Sequence, residues 1–372
     1  MSGLRYAMVG GGVGSFIGAV HRKAIALDGT ATLVGGAFSS TAERSRQSGI
    51  ELGLDPKRAH ADHRAMLEAE AANVDFVVIV TPNDSHFEIA RDCLKAGVAV
   101  VCDKPFTTTS AEARELGEVG RAKGLPCVVT YNYTGYPMVR EAAELIASGE
   151  LGEIRRSLVE YHQGWLATPL ERAGMKQAAW RTDPARAGLG GALGDIGTHA
   201  ENLLAFVTGL GVSSMCAQLT NSVPGRQLDD DVAILMKLAN DSTATLSASQ
   251  VCVGEHNGLS LRVYGDKGGL HWRQERPDEL VIHRLEQASQ TLVRGGPGLS
   301  ERATRATRIP SGHPEGYLEA FANVYRGVAE LLTDGGGAMA DELAGPAEGE
   351  RGVRFIELAV ESSRAHAWID WS

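Results

Sequence analysis

The stretch Leu4-Arg5-Tyr6-Ala7-Met8-Val9-Gly10-Gly11-Gly12-Val13-Gly14-Ser15-Phe16-Ile17-Gly18 decides how the chain is read. A short apolar run ends in glycines, passes into a helix-like stretch through His21, Ala24 and Leu27, and is followed by a second apolar run from Ala31 to Phe38. That is strand, turn, helix, strand. Glycines at such a turn let the backbone approach a pyrophosphate lying on the helix N-terminus. Gly10, Gly12, Val13, Gly14, Ser15, Phe16 and Ile17 are therefore the candidate dinucleotide loop. A GxGxxG begun at Gly10 puts Ser15 where the third glycine belongs, whereas Gly18 can serve the close packing of helix on strand in a longer turn.

The alternation continues outward. A helix-like segment, Ala61 to Ala72, precedes Val74 to Val80, whose β-branched character fits a strand buried on both faces of a parallel sheet. Then come Ser85 to Ala96 as helix, Ala99 to Cys102 as strand, Ser110 to Lys123 as helix and Pro126 to Tyr131 as strand. Residues 1–131 thus read as a doubly wound α/β domain with a parallel sheet and ligands at the carboxyl ends of its strands. Residues 132–372 change texture. Strand candidates at Ile154 to His162, Met215 to Leu219, Val232 to Leu238, Ser242 to Val253, Leu259 to Gly265 and Glu279 to Leu285 mostly lack intervening helices, which predicts a mainly antiparallel sheet. Helices are expected at Tyr136 to Ala147, Gly191 to Val207, Glu315 to Leu332 and Leu343 to Trp368, and a surface loop with exposed arginines from Gly295 to Pro314. Tyr136 and Trp272 read as ordinary core residues.

With 372 residues and 43% hydrophobic content, the chain can build two cores. A net charge of −10 and a pI near 5.6 argue against a nucleic-acid surface and for a small-molecule partner. Five cysteines without a CxxC pair suggest a reducing, cytoplasmic setting. The short apolar start fits neither a signal peptide nor a membrane span. Eleven histidines show no metal-binding spacing, so no metal is expected.

Three further groups carry chemistry. After the second strand an acid would bond an adenosine ribose, but Ser39 and Ser40 stand there with Arg44 beyond; the hydroxyls suit a plain ribose, and Arg44 a 2′-phosphate. Asp103-Lys104-Pro105 ends the fourth strand, where the lysine can project over a nicotinamide. Asp195 and His199 are four residues apart in a helix-like stretch, so both point from one face. A neutral imidazole can take the proton of a secondary alcohol as hydride leaves, while a lysine ammonium stabilises the alkoxide.

Taken together with Thr81-Pro82-Asn83 and His86, these motifs in this order resemble the glucose-fructose oxidoreductase, inositol dehydrogenase and rhizopine catabolism family over nearly the whole chain. The resemblance implies a Rossmann domain over residues 1–131, an α+β domain with a large, open, mainly antiparallel sheet over residues 132–372, and oxidation of a sugar or cyclitol hydroxyl, catalysed by Lys104, Asp195 and His199. It implies a nicotinamide cofactor touched by Thr81, Pro82, Asn83, His86, Asp103, Lys104 and Asn132, and a homodimer or homotetramer packed through the C-terminal sheet. The loop Gly12 to Gly18 and the run Lys176 to Pro184 are similar to a subgroup that includes levoglucosan dehydrogenase and enzymes oxidising the 3-hydroxyl of glucosides, which favours NAD, with NADP as the alternative. Tyr133, His162, Gln163, Trp165, Trp180 and Arg181 offer the hydrogen-bonding groups and aromatic faces a sugar pocket needs, beside Lys104, Asp195 and His199. A glycosidase that oxidises C3 transiently with bound NAD would need the same lysine and histidine.

Overall fold

The computed structural model describes residues 3–371, which form two compact units. The first takes the chain up to Asn132 and also Leu318–Arg351; the second takes Tyr133–Tyr317 and the chain from Gly352 on. Within the first, β1 (Leu4–Gly10), β2 (Ala31–Ala37), β3 (Phe76–Val80), β4 (Ala99–Cys102) and β5 (Cys127–Val129) form a parallel sheet in the order β2-β1-β3-β4-β5. Every residue of β3 is buried, as its unbroken apolar run demands of a strand covered on both faces. Each buried valine or isoleucine side chain there contributes roughly 1.5–3 kcal/mol relative to exposure. Strand order reverses between β1 and β3, so their carboxyl ends frame the crevice where such sheets bind ligands.

The segment Leu318–Arg351 belongs to this first unit although it follows the second sheet in sequence. It brings in most of the helix Tyr317–Asp334, whose Tyr325 hydroxyl lies 2.5 Å from Nδ1 of fully buried His21. It also brings Ala344, whose carbonyl accepts from the Val129 amide at the sheet edge.

The second unit contains β6 (Ile154–His162), β7 (Val212–Thr220), β8 (Asp231–Leu238), β9 (Thr243–Ser249), β10 (Gly258–Gly265), β11 (Gly268–Arg273), β12 (Glu279–Arg284), β13 (Gln290–Val293) and β14 (Ile369–Asp370). They form one sheet, antiparallel except where β6 runs parallel to β9. One face alternates into the core, as in β8, where Val232, Ile234, Met236 and Leu238 are buried and Leu235 and Lys237 are exposed. Tyr136 and Trp272 are core residues, with ring centroids 5.4 Å apart.

Between Gly295 and Pro314 the expected surface loop is partly structured. The helix Glu301–Ala306 forms there, capped by Ser300, and neighbouring Arg294 is buried, ion-paired to Asp278 at 2.6 Å and Glu315 at 2.8 Å. Strands β11 and β13 were hidden by their flanking glycines and polar residues. No helix among the described residues is long and apolar enough to cross a membrane.

Candidate functional site

In the first unit the glycine turn lies at the carboxyl end of β1. Gly10, Gly11 and Gly14 adopt φ of 81°, 67° and 84°, a region that favours glycine. A Cβ on Gly10 would lie 2.8 Å from the Val80 carbonyl oxygen, so the turn presses against the end of β3. Gly18 performs the packing role anticipated for a longer turn, because a Cβ there would sit 2.3 Å from the Gly11 Cα. Ser15 caps the helix Phe16–Leu27 and accepts from the Gly18 amide at 3.3 Å. Beyond the loop the surface opens: nothing lies within 4 Å of a Cβ on Gly14, and Val13 and Phe16 are exposed.

No acid follows β2. Phe38 is buried, Ser40 and Arg44 are exposed, and Ser39 is half-buried. After β3, Asn83 is buried. His86 follows, with Nδ1 2.8 Å from the Pro105 carbonyl oxygen and Nε2 2.9 Å from that of Thr81. Its ring therefore sits between the loops after β3 and β4, with one nitrogen near a carbonyl oxygen of each. Asp103 is likewise turned to its own loop, accepting from the Lys104 amide at 3.0 Å and the Thr130 hydroxyl at 2.9 Å. Asn132, at the end of this unit, is buried with its Nδ2 lacking a hydrogen-bond partner. A buried amide donor without a partner calls for an acceptor. With the glycine cradle and the open helix N-terminus, it fits a dinucleotide held by Gly10, Gly12, Gly14, Ser15 and Asn132.

The second unit carries the candidate substrate groups. A single π-helical turn, Leu193–Gly197, runs directly into the helix Thr198–Thr208, with the Thr198 amide bonded to the Leu193 carbonyl. The expected α-helical spacing of Asp195 and His199 is therefore interrupted by a wider turn, a feature common at functional sites. Asp195 accepts at Oδ2 from Arg181 Nε at 3.0 Å and Gln250 Nε2 at 2.8 Å. His199 is buried, its ring edge-to-face with Tyr133 at 4.8 Å and tilted against Tyr161 at 6.4 Å.

Sheet register assembles the rest. Gln163 follows β6, Gln250 follows the parallel β9, and Asn257 precedes the antiparallel β10, where Gly258 lies opposite His162. Asn257 Nδ2 donates to the Tyr133 hydroxyl (3.2 Å) and Tyr161 donates to Asn257 Oδ1 (2.7 Å). The two phenol oxygens are 2.5 Å apart, so a Tyr133 to Tyr161 bond closes a ring of three. Burial pushes both phenols up, Tyr161 well above its usual range, so they stay neutral. Gln163 donates to Asn257 Oδ1 (2.8 Å) and accepts from the Trp165 indole (2.9 Å). The Arg181 guanidinium lies over Trp180, 4.2 Å from its centroid, and 5.9 Å from that of Trp165.

His162 does not join this group. Adjacent strand residues face opposite ways, so with Tyr161 on the core side His162 points to the other face, 2.8 Å from the Ser247 hydroxyl. Tyr161, Asn257 and Gln250 were missed. The alternation of β6 could have exposed Tyr161; the other two come near only through register. His63, Glu88 and Asp92 also gather, but Arg64 pairs with both carboxylates.

The chain matches two family models: "Oxidoreductase family, NAD-binding Rossmann fold" over residues 4–133, and "GFO/IDH/MocA C-terminal domain" over residues 139–271. It is 33% identical to the uncharacterized oxidoreductase YfiI of Bacillus subtilis, over 99% of this chain and 97% of that protein. It is 26% identical to levoglucosan dehydrogenase of Pseudarthrobacter phenanthrenivorans, covering 88% of this chain and 86% of the relative. The crystal structure of an inositol dehydrogenase homolog complexed with NAD+ from Azotobacter vinelandii superposes with a TM-score of 0.95 at 36% identity, covering 99% of this chain and 97% of that one. An NAD-binding Rossmann unit joined to this second sheet, with family models matched over residues 4–133 and 139–271, makes the protein an oxidoreductase of sugar and cyclitol dehydrogenase type that belongs to the GFO/IDH/MocA family.

Proposed function

We propose that the protein oxidises a secondary hydroxyl of a sugar, anhydrosugar, glycoside or cyclitol, with Lys104, Asp195 and His199 serving the reacting alcohol. The observation that carries this reading is the hydrogen-bonded set Tyr133, Tyr161, Asn257, Gln163, Gln250 and Asp195 beside the His199 ring. Many directed donors and acceptors, with Trp165 and Trp180 as apolar faces, match a polyhydroxylated ring and would leave an apolar ligand with unmet polar groups.

Bound NAD supplies the hydride acceptor. His199 takes the hydroxyl proton as the alcohol becomes a carbonyl, the Lys104 ammonium stabilises oxygen charge, and Asp195 orients the hydroxyl. Ser39 and Ser40 accept a plain ribose, which favours NAD. The same reading has the protein act in the cytoplasm as a homodimer or homotetramer through the outer face of the second sheet, where Leu235 and Tyr264 are exposed.

A panel of sugars, anhydrosugars, glycosides and cyclitols, offered with NAD and separately with NADP and followed by absorbance of the reduced cofactor, tests the reading. At least one carbohydrate should drive sustained reduction. Cleavage of a glycoside without accumulation of reduced cofactor would instead indicate the recycling glycosidase.

A further inference from the structure

We propose that the adjacent carboxylates Asp229 and Asp230, just ahead of β8, are positioning residues that fasten two parts of the substrate site separately, Asp229 the segment bearing Asp195 and His199, and Asp230 the loop bearing Gln163 and Trp165. The inference rests on the function proposed above.

Asp229 is buried and gives both oxygens to one segment: Oδ1 accepts from the Gly191 amide and Oδ2 from the Leu193 amide, each at 2.7 Å. Its backbone carbonyl accepts from the intervening Ala192 at 2.9 Å. Three successive amides at the entry to the π turn are thereby fixed to one residue. Gly191 has no room for more, since a Cβ would lie 2.1 Å from the Asp229 carbonyl oxygen. Two residues after the last of these amides comes Asp195, and one turn later His199. Burial raises the Asp229 carboxyl to about 6, against the two amide bonds that favour its charged form.

Asp230 turns the other way. It accepts from the amides of Ser222 (2.7 Å) and Val223 (2.9 Å), and from Arg226 at 3.2 Å. Buried Arg226 in turn grips the loop after β6, through Glu171 (3.2 Å to each oxygen) and the Thr168 carbonyl (3.0 Å). The Asp230 carbonyl also accepts from the Gln250 amide at 2.9 Å, and the Gln250 side chain reaches Asp195. One dipeptide thus holds the base segment by one carboxylate and the polar lining by the other.

The test pairs two near-isosteric variants. Asp229→Asn can accept at only one of its two former contacts, and the displaced segment should lower kcat by about 10- to 100-fold, the scale of a misplacement near 1 Å, with carbohydrate KM within about threefold. Glu171→Gln weakens the hold on the loop and should raise carbohydrate KM by roughly three- to tenfold with kcat little changed. In hydrogen-exchange mass spectrometry of the full chain, Asp229→Asn should speed exchange in peptides covering residues 190–199 and leave the strands of the second sheet unaltered. Parallel changes of kcat and KM in both variants, exchange spread through the whole unit, or an Asp229→Asn enzyme with wild-type kcat would overturn the proposal. If Asp229→Asn does not fold, Gly191→Ala loosens the same contact from the opposite side and takes its place with the same expectations. If the wild type oxidises no carbohydrate, the function proposed above fails, while the exchange result still decides whether Asp229 holds the segment.

Discussion

Arg181 and Asp195 form an ion pair at 3.0 Å in which both side chains are largely shielded, and the same guanidinium lies over Trp180. The carboxylate is therefore held by charge and direction at once, with Gln250 as its second donor. Charge-assisted hydrogen bonds of this kind are worth about 1.5–3 kcal/mol. Arg181→Met should accordingly lower kcat/KM for the carbohydrate by roughly 10- to 100-fold. Steady-state kinetics at saturating NAD measure it; a loss below threefold would mean that Gln250 alone fixes Asp195.

General base catalysis typically contributes about 10² to 10⁴ in rate. His199→Ala should lose kcat in that range while NAD affinity, read by isothermal titration, stays near wild type. Lys104→Ala should be comparably damaging, because the negative charge developing on the hydroxyl oxygen as it loses its proton loses its stabiliser. Retention of more than about a tenth of kcat by His199→Ala would place the base elsewhere.

Gly18 tests the packing of the glycine turn. A Cβ there overlaps the Gly11 Cα, backbone that cannot swing aside. Gly18→Ala should destabilise the protein by about 1–3 kcal/mol in urea unfolding and weaken NAD binding as the loop shifts. Gly14→Ala meets open space and carries only the cost of its positive φ, about 1–2 kcal/mol. Equal stability of Gly18→Ala and wild type would show that the helix does not lean on the turn as described.

His21 gives a pH signature. Burial holds its ring pKa down to about 4, against an ordinary 6.5. Between these values the unfolded chain binds the proton and the folded chain does not, so this contribution is complete above about pH 6.5 and is lost as pH falls toward 4. At pH 5 the wild type should have lost about 2 kcal/mol more of its pH 7 stability than His21→Gln has. The same pH dependence in both would assign the effect to other groups.

Cofactor choice turns on the end of β2. With two serines and no acid there, Arg44→Ala should change NAD kinetics little. A wild-type preference for NADP above tenfold that this substitution removes would assign Arg44 to a 2′-phosphate.

The legible parts of the chain were those governed by local periodicity. Phe76–Val80 announces a doubly buried strand by composition alone, and the glycine turn announces itself by position. Trp272 could be placed in the core, but its strand Gly268–Arg273 could not, because two leading glycines read as a loop. Arg294 and its carboxylates escaped because an arginine is normally exposed, and only the folded chain supplies its partners, 16 and 21 residues away. His162 neighbours Gln163 in sequence, but the pleat sends its side chain to the opposite face, beside the Ser247 hydroxyl. Gln250 and Asn257 depend on two strand pairings to β6, which no motif encodes.

The proposed reaction is hydride transfer from a carbohydrate carbon. A substrate deuterated at the oxidised carbon, incubated with NAD and analysed by mass spectrometry, measures it directly. One deuterium should appear in the reduced nicotinamide for each carbonyl formed, with a slowed rate of transfer. Deuterium retained in a cleaved sugar, with no reduced cofactor accumulating, would contradict it.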